Sequence, residues 1–284
     1  MIKIFFKKFI FLFSKKLVNL FYAFGFGRFF LEKLIENINY KKFSIKYNNQ
    51  KYLFYTPNRL NLFRAKTFLT KEPETINWIK KFEINSVFWD IGANVGLYSC
   101  FASRERESNT FAFEPSPFNL ELLTKNIYVN NLNDKITVIP ISLINKSKIS
   151  YFKMSDISHG GAHSTFSENY SEDGSQIKEI FNFKTLGIEG NDFYKKLSIP
   201  KPDYIKIDVD GIEYLILLGL EELLKNVKSI LIEVNENFKK QDSQIKSFLE
   251  KNNFKLIQKD QSELLKKSKE NSKIFNQIWE KIKT

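Results

Sequence analysis

The chain is poor in the residues that build metal clusters and covalent staples. It holds one cysteine, two histidines, two methionines and three tryptophans in 284 residues. A single cysteine excludes an intrachain disulfide and any cysteine-ligated cluster. Cys100 lies in the apolar run Leu97–Ala102 and reads as a small buried hydrophobe, compatible with reducing surroundings. Both histidines, His159 and His163, fall in Ser158-His-Gly-Gly-Ala-His-Ser. Two such ligands do not complete a zinc site. An unbroken apolar run of about 20 residues, the length of a spanning helix, is also missing. Lys7, Lys8, Lys15 and Lys16 interrupt the first candidate, and Gly27 with Arg28 close the stretch from Leu17 to Phe26. No spanning helix is expected, and no small-residue cleavage site follows that would mark a signal peptide.

What is present is an ordinary globular composition with a lopsided charge. With 43% hydrophobic and 27% charged residues, the chain can bury a core and is not disordered. The net charge is +12, and residues 1–42 supply +7 of it, from eight Lys and one Arg against Glu32 and Glu36. Basic residues do not gather around the glycine turn described below, so a nucleic-acid partner is not expected. Phe and Leu interleaved with Lys in residues 1–40 fit either a helix on an anionic membrane surface or one packed on the main domain. The expected location is the cytoplasm, with peripheral contact at the inner membrane surface as the first of those two options.

Along the chain, residues 1–45 read as helical, and Phe43–Tyr55 alternates around Asn48-Asn49 as a β-hairpin. Pro73 suits the first position of a helix running through Phe82. From Ser86 on, short apolar strands alternate with amphipathic helices: strands at Val87–Ile91, Thr110–Phe113, Ile136–Ile141, Tyr204–Asp208 and Ile230–Val234, then Phe254–Gln258 and Ile274–Trp279. That rhythm predicts an α/β fold, a mostly parallel sheet with helices on both faces. Residues 1–60 are expected to form a basic, aromatic extension and 61–284 the catalytic domain. Lys146–Leu197 breaks the rhythm, with a short strand at Ile149–Met154 and then a Gly/Ser/His-rich loop, of a length that is usually either functional or disordered.

The sharpest feature is a strand, Val87-Phe-Trp-Asp-Ile, that turns through Gly92-Ala-Asn-Val-Gly96 into a helix. Glycines there permit positive φ and close backbone approach, and the following N–H groups face a ligand. Glu114 ends the next strand, where an acid can accept hydrogen bonds from both hydroxyls of a ribose. This outline suits NAD and S-adenosylmethionine alike. Asn94, however, occupies the middle glycine position of the dinucleotide fingerprint. Asp90, two residues before the first Gly, suits a cationic amino-acid moiety better than a pyrophosphate. Both points favour S-adenosylmethionine.

Asp-Ile-Gly-Ala-Asn-Val-Gly-Leu-Tyr-Ser (90–99), Phe-Glu-Pro-Ser-Pro-Phe-Asn (113–119) and Ile-Lys-Ile-Asp-Val-Asp-Gly-Ile-Glu (205–213) resemble the FkbM family of methyltransferases, over roughly residues 60–260. Lys-Glu-Pro-Glu-Thr (71–75) and Gly-Gly-Ala-His-Ser (160–164) resemble one branch of it. The resemblance implies a class I methyltransferase fold, a Rossmann-like, mostly parallel seven-stranded sheet. It places Asp90, Gly92, Asn94 and Gly96 along the methionine end of the cofactor, Glu114 at the ribose and Ser142 near the adenine. It also implies O-methylation of a sugar, glycan precursor or small metabolite. The family often has Glu where this chain has Asp210.

An acceptor hydroxyl must lose a proton to react. Asp208, Asp210 and Glu213, after the fourth strand, are the candidates for that role, with His163 as a further base. If the strand persisted, alternation would put Lys206, Asp208 and Asp210 on one face. The plain alternatives are cofactor positioning for Asp208, turn N–H groups for Asp210 and helix-dipole complementation for Glu213. Glu233 and Asn235 could offer oxygens to Mg²⁺, but no metal site is assigned. Two other readings stay open: an NAD-dependent oxidoreductase, and a non-catalytic cofactor-binding protein at a membrane surface.

Overall fold

The structure, a computed structural model, describes residues 2–262, 266 and 273–282, with side chains from residue 5 onward. Two helices open the chain, α1 (Ile2–Tyr22) and α2 (Gly25–Asn39). Among residues 5–40 only Gly27 is buried. A hairpin follows, β1 (Lys42–Tyr47) and β2 (Gln50–Tyr55). Its turn residues Asn48 and Asn49 adopt φ of 45° and 61°, the left-handed geometry that matches the twist of paired strands. Although assigned from sequence to the extension, the hairpin buries Tyr52 and Phe54 in the core with Phe68 and Phe101. Then come α3 (Arg59–Thr67), capped by the Asn58 side chain, and α4 (Pro73–Ile79), with proline at its first turn.

The main sheet begins with β3 (Val87–Ile91), α5 (Leu97–Glu105), β4 (Asn109–Phe113), α6 (Pro117–Val129) and β5 (Ile136–Ile139). Residues 142–189 form a second sheet from β6 (Ser142–Ile144), β7 (Lys148–Met154), β8 (Ser164–Phe166) and β9 (Phe181–Glu189), in the order β6-β9-β7-β8. After α7 (Gly190–Leu197) the main sheet resumes with β10 (Tyr204–Ile207), α8 (Glu213–Gly219), β11 (Ser229–Asn235), α9 (Lys239–Lys251), β12 (Phe254–Asp260) and β13 (Ile274–Lys281).

The seven strands run in the order β12-β13-β11-β10-β3-β4-β5, with only β13 antiparallel to its neighbours. That is the class I methyltransferase arrangement. Period-two alternation splits each strand between two layers. Trp89 and Ile91 face the layer of Phe113, Phe193 and Ile216, whereas Phe88 faces that of Trp78, Phe82 and Phe101. Strand order reverses between β3 and β10, and ligands of open α/β sheets bind outside the strand ends at such a point. Register sharpens it: Ile91 stands opposite both Phe113 and Ile207, so three strand ends are level. Residues 92, 114 and 208 therefore emerge side by side.

Candidate active site

Above those ends lies a cavity of about 500 Å³. Its floor is the glycine turn. Gly92 and Ala93 both donate their N–H groups to the Phe113 carbonyl at 3.0 Å. Gly92 has φ +84°, and a Cβ there would sit 1.9 Å from the Asp208 carbonyl oxygen, so a side chain would drive β3 and β10 apart. Gly96, at φ +79°, has Leu123 Cδ1 2.4 Å from where its Cβ would be. Asn94, at φ +50°, donates its backbone N–H to Glu114 Oε2 at 2.9 Å and its side-chain amide to the Gly161 carbonyl at 2.9 Å. Glu114 Oε1 accepts from the Ser116 N–H at 2.8 Å. Turn and carboxylate thus share one hydrogen-bonded cradle. Burial pushes Glu114 up to about 7 against these bonds, which favour its charged form.

The loop that carries both histidines is a wall of this cavity. Arg64 donates twice to the Gly160 carbonyl, at 3.0 and 2.7 Å, and Asn61 donates to the His159 carbonyl at 2.6 Å. Asn119 accepts from the Gly160 N–H at 2.9 Å. Anchored on both sides, the loop turns its histidines opposite ways. His159 meets Glu121 at 3.1 Å outside the cavity lining, whereas His163 lies on the rim.

Seven of the ten sequence-selected residues line the cavity: Gly92, Asn94, Glu114, Ser142, His163, Asp208 and Asp210. Ser142 is buried with no partner for its hydroxyl, near the apolar side chains Phe113, Leu143, Phe152 and Phe166. Gly96 shapes the turn from behind. Two residues point elsewhere. Asp90 alternates with Trp89 and Ile91 and so turns under α5, where it accepts a bond from Ser99 and is 1% exposed. Glu213 is buried behind the cavity, accepting from the Gly211 N–H at 3.0 Å and the Gln241 amide at 2.6 Å. Burial raises it to about 8. Asn235 likewise turns away to cap its own loop through the Asn237 N–H, so it and Glu233 do not form a pair.

Nor do Lys206, Asp208 and Asp210 share a strand face, because β10 stops at Ile207. Lys206, 1% exposed, pairs with Asp208 from beneath and lies 5.2 Å over the Tyr98 ring. Burial opposes charge on Asp208, but the Lys206 ammonium outweighs it and holds Asp208 below the usual carboxylate range. Its neighbour Glu233 goes the other way, pushed well up by burial and by the charges of Asp208 and Glu72. Asp210 accepts from the Ser164 N–H at 2.8 Å, and burial raises it. Glu172, raised by burial and by Asp210, faces the same rim. His163 Nδ1 stands 3.7 Å from Glu172 and 3.9 Å from Asp210. These three offer ligand atoms within 4.8 Å of one another, a spacing that could hold a cation.

Sequence reasoning assigned no role to Glu172, Lys71 or Glu72, all of which line the cavity. Lys71 pairs with Glu72 at 2.5 Å, and Glu72 accepts from the Tyr98 hydroxyl at 2.8 Å. The Lys-Glu-Pro-Glu-Thr stretch was a signal for the latter two. Glu172, in a Ser/Asp/Gly loop, had none.

Residues 90–256 match the family model of the methyltransferase FkbM domain, more than half the chain. The hexuronic acid methyltransferase AglP of Haloferax volcanii is 32% identical over 161 residues, which cover 55% of this chain and 59% of that protein. The methyltransferase sdnD of Sordaria araneosa is 24% identical over 174 residues, 54% of this chain and 67% of its own. The chain therefore spans about three fifths of the length of the first of these relatives. Among solved structures, M. jannaschii TYW2 in complex with AdoMet aligns over 85% of this chain and 87% of its own, at 14% identity and a TM-score of 0.43. None of these comparisons supports the oxidoreductase or the non-catalytic alternative. With its strand order and its glycine turn in place, the chain belongs to the FkbM methyltransferase family.

Proposed function

We propose that this protein is an S-adenosylmethionine-dependent O-methyltransferase whose acceptor is a sugar or glycan-precursor hydroxyl. The carrying observation is the 2.9 Å bond between the Asn94 N–H and Glu114, which puts the glycine turn and the ribose-type carboxylate in one cavity. The residues fit the cofactor on three further counts. Gly92 lets the turn pack directly against the Asp208 carbonyl, which brings the turn and Asp208 together at the cavity. Ser142 keeps a buried, unpartnered hydroxyl beside an apolar wall suited to a purine. Six carboxylates against Arg64 and Lys71 line the cavity, a balance that favours a cationic ligand over a pyrophosphate.

Bound there, the cofactor supplies an already activated methyl. The chain's own residues have the remaining tasks. Glu114 and Asn94 fix the nucleoside end. The anchored loop 156–164 limits solvent over the acceptor and orients it. Asp208, kept charged by Lys206, is a poor proton acceptor and a good hydrogen-bond anchor. Asp210, raised toward neutrality and facing His163 and Glu172, is the better-matched base for an acceptor hydroxyl. The relative AglP is named for hexuronic acids, and Arg64 and Lys71 give an acceptor carboxylate something to meet, so uronic acids head the acceptor screen.

Calorimetry against S-adenosylmethionine and NAD, followed by labelled-methyl transfer to uronic acids and sugar nucleotides, tests the reading. NAD binding in the absence of S-adenosylmethionine binding would overturn it. Asp210→Asn should lower transfer at least about a hundredfold while leaving donor affinity unchanged; wild-type turnover in that variant would remove Asp210 as the base.

A further inference from the structure

The two N-terminal helices leave their apolar residues open to solvent. In α1, Phe6, Phe9, Ile10, Phe13, Leu17 and Leu20 recur at intervals of three and four, which places them on one face. Each is between 44% and 61% exposed. Residues of the same chain could have covered this face, the packed-helix option left open by the sequence, yet among residues 5–22 none is buried. The pair of helices is nevertheless a defined unit. Gly27 packs so closely that a Cβ would lie 1.9 Å from the Phe21 carbonyl oxygen, and the Phe21 and Phe30 rings meet at 5.4 Å.

Charge identifies what the face fits. The 21 residues of α1 contain five lysines and no acid. By helical spacing, Lys7 and Lys16 border the apolar face and Lys8 and Lys15 lie opposite it. A second copy of the helix would bring like charges together along the seam, whereas paired helices normally carry opposite charges there. An anionic lipid surface satisfies the same lysines, and their aliphatic stems can lie along the acyl boundary with the ammonium groups among headgroups. The lysines also keep the segment from crossing: among the described residues no helix is long and apolar enough to span a membrane.

We propose that α1 lies flat in the headgroup region of an anionic bilayer, with Phe6, Phe9, Phe13 and Leu17 toward the acyl chains, and so holds the domain at the membrane surface. Nothing in this rests on the methyl-transfer reading. The test is flotation of the full chain with phosphatidylcholine vesicles and with vesicles that also contain phosphatidylglycerol. Tighter binding to the anionic vesicles by at least about tenfold, weakened by salt, is expected. Phe9→Ser with Phe13→Ser should reduce that binding at least about tenfold, and Lys7→Glu with Lys16→Glu should do the same. Both pairs are solvent-facing, so an unchanged thermal midpoint and an unchanged circular dichroism spectrum certify that the variants are folded. Equal binding to neutral and anionic vesicles, no binding to either, or full binding by the variants overturns the proposal. Lipid-free dimerisation that the Phe substitutions abolish would also overturn it, because the face would then belong to a second copy.

Discussion

At the scale of single residues, the site depends on two positions whose demands are geometric and electrostatic in turn. Gly92 cannot carry a side chain, since its Cβ would overlap the Asp208 carbonyl at 1.9 Å and its φ is +84°. Gly92→Ala should cost about 3 kcal/mol or more, from overpacking plus left-handed strain, read as a lower urea midpoint. Donor binding should vanish with it, because Asp208 and the turn move together. Glu114 presents the electrostatic case. Its carboxyl is raised to about 7, so it is charged at pH 8 and mostly protonated at pH 6. A ribose hydroxyl needs the charged form as acceptor. Donor affinity should therefore fall about tenfold between pH 8 and pH 6, and Glu114→Gln should bind weakly with a flat profile. A pH-independent wild-type affinity would show that Glu114 does not meet the ligand.

Among elements, the hairpin and the glycine turn are coupled through one side chain. Asn126, in α6 and fully buried, accepts from the Tyr55 N–H at 2.8 Å and donates to the Val95 carbonyl at 2.8 Å. Asn126→Ala leaves a buried donor and a buried acceptor without partners, which should cost about 2–4 kcal/mol in chemical denaturation and loosen donor binding with it. An unchanged midpoint would mean that the two elements hold their places without Asn126. This coupling could not be read from the sequence, where Asn126 is one polar residue inside an amphipathic helix. Local signals fared better. The Asn48-Asn49 turn, Pro73 and the apolar strands β3, β4, β10 and β11 are each written in a few consecutive residues, and each forms where those residues lie. The second sheet was mostly hidden. Its longest strand, β9, has apolar residues at positions of both parities, Phe181 and Phe183 on one and Leu186 and Ile188 on the other, so its alternation is faint in the sequence, and its pairing partners lie 27 to 45 residues away. Asp90 shows the opposite hazard: its position in the motif was clear, but strand alternation, which depends on where β3 ends, decides which way it faces. Glu213 was likewise drawn to the site by its neighbours, yet the turn at Gly211 swings it behind.

For the molecule as a whole, the division between domain and extension follows burial and differs from the composition. Basic, aromatic composition carries past residue 50, yet the structural change comes near residue 40, where β1 begins. Before it, the apolar residues of α1 and α2 face solvent. After it, Tyr52 and Phe54 are 0% and 1% exposed among Phe68 and Phe101, and the hairpin backbone is tied to α6 through Asn126 and Asn130. Two truncations should therefore behave very differently. Removing residues 1–39 takes away no side chain that the domain core uses, keeps Tyr40 against Tyr55, and should move the thermal midpoint by no more than about 2 °C with donor affinity intact. Removing residues 1–60 strips the buried rings of Tyr52, Phe54 and Tyr55 from the core, at about 3–5 kcal/mol for each of the first two, and opens the surfaces of α3 and α6 beneath. That chain should be insoluble or unfolded by circular dichroism. If the shorter truncation also unfolded, α1 and α2 would have to be a covering of the core, and their open apolar faces would need a different explanation.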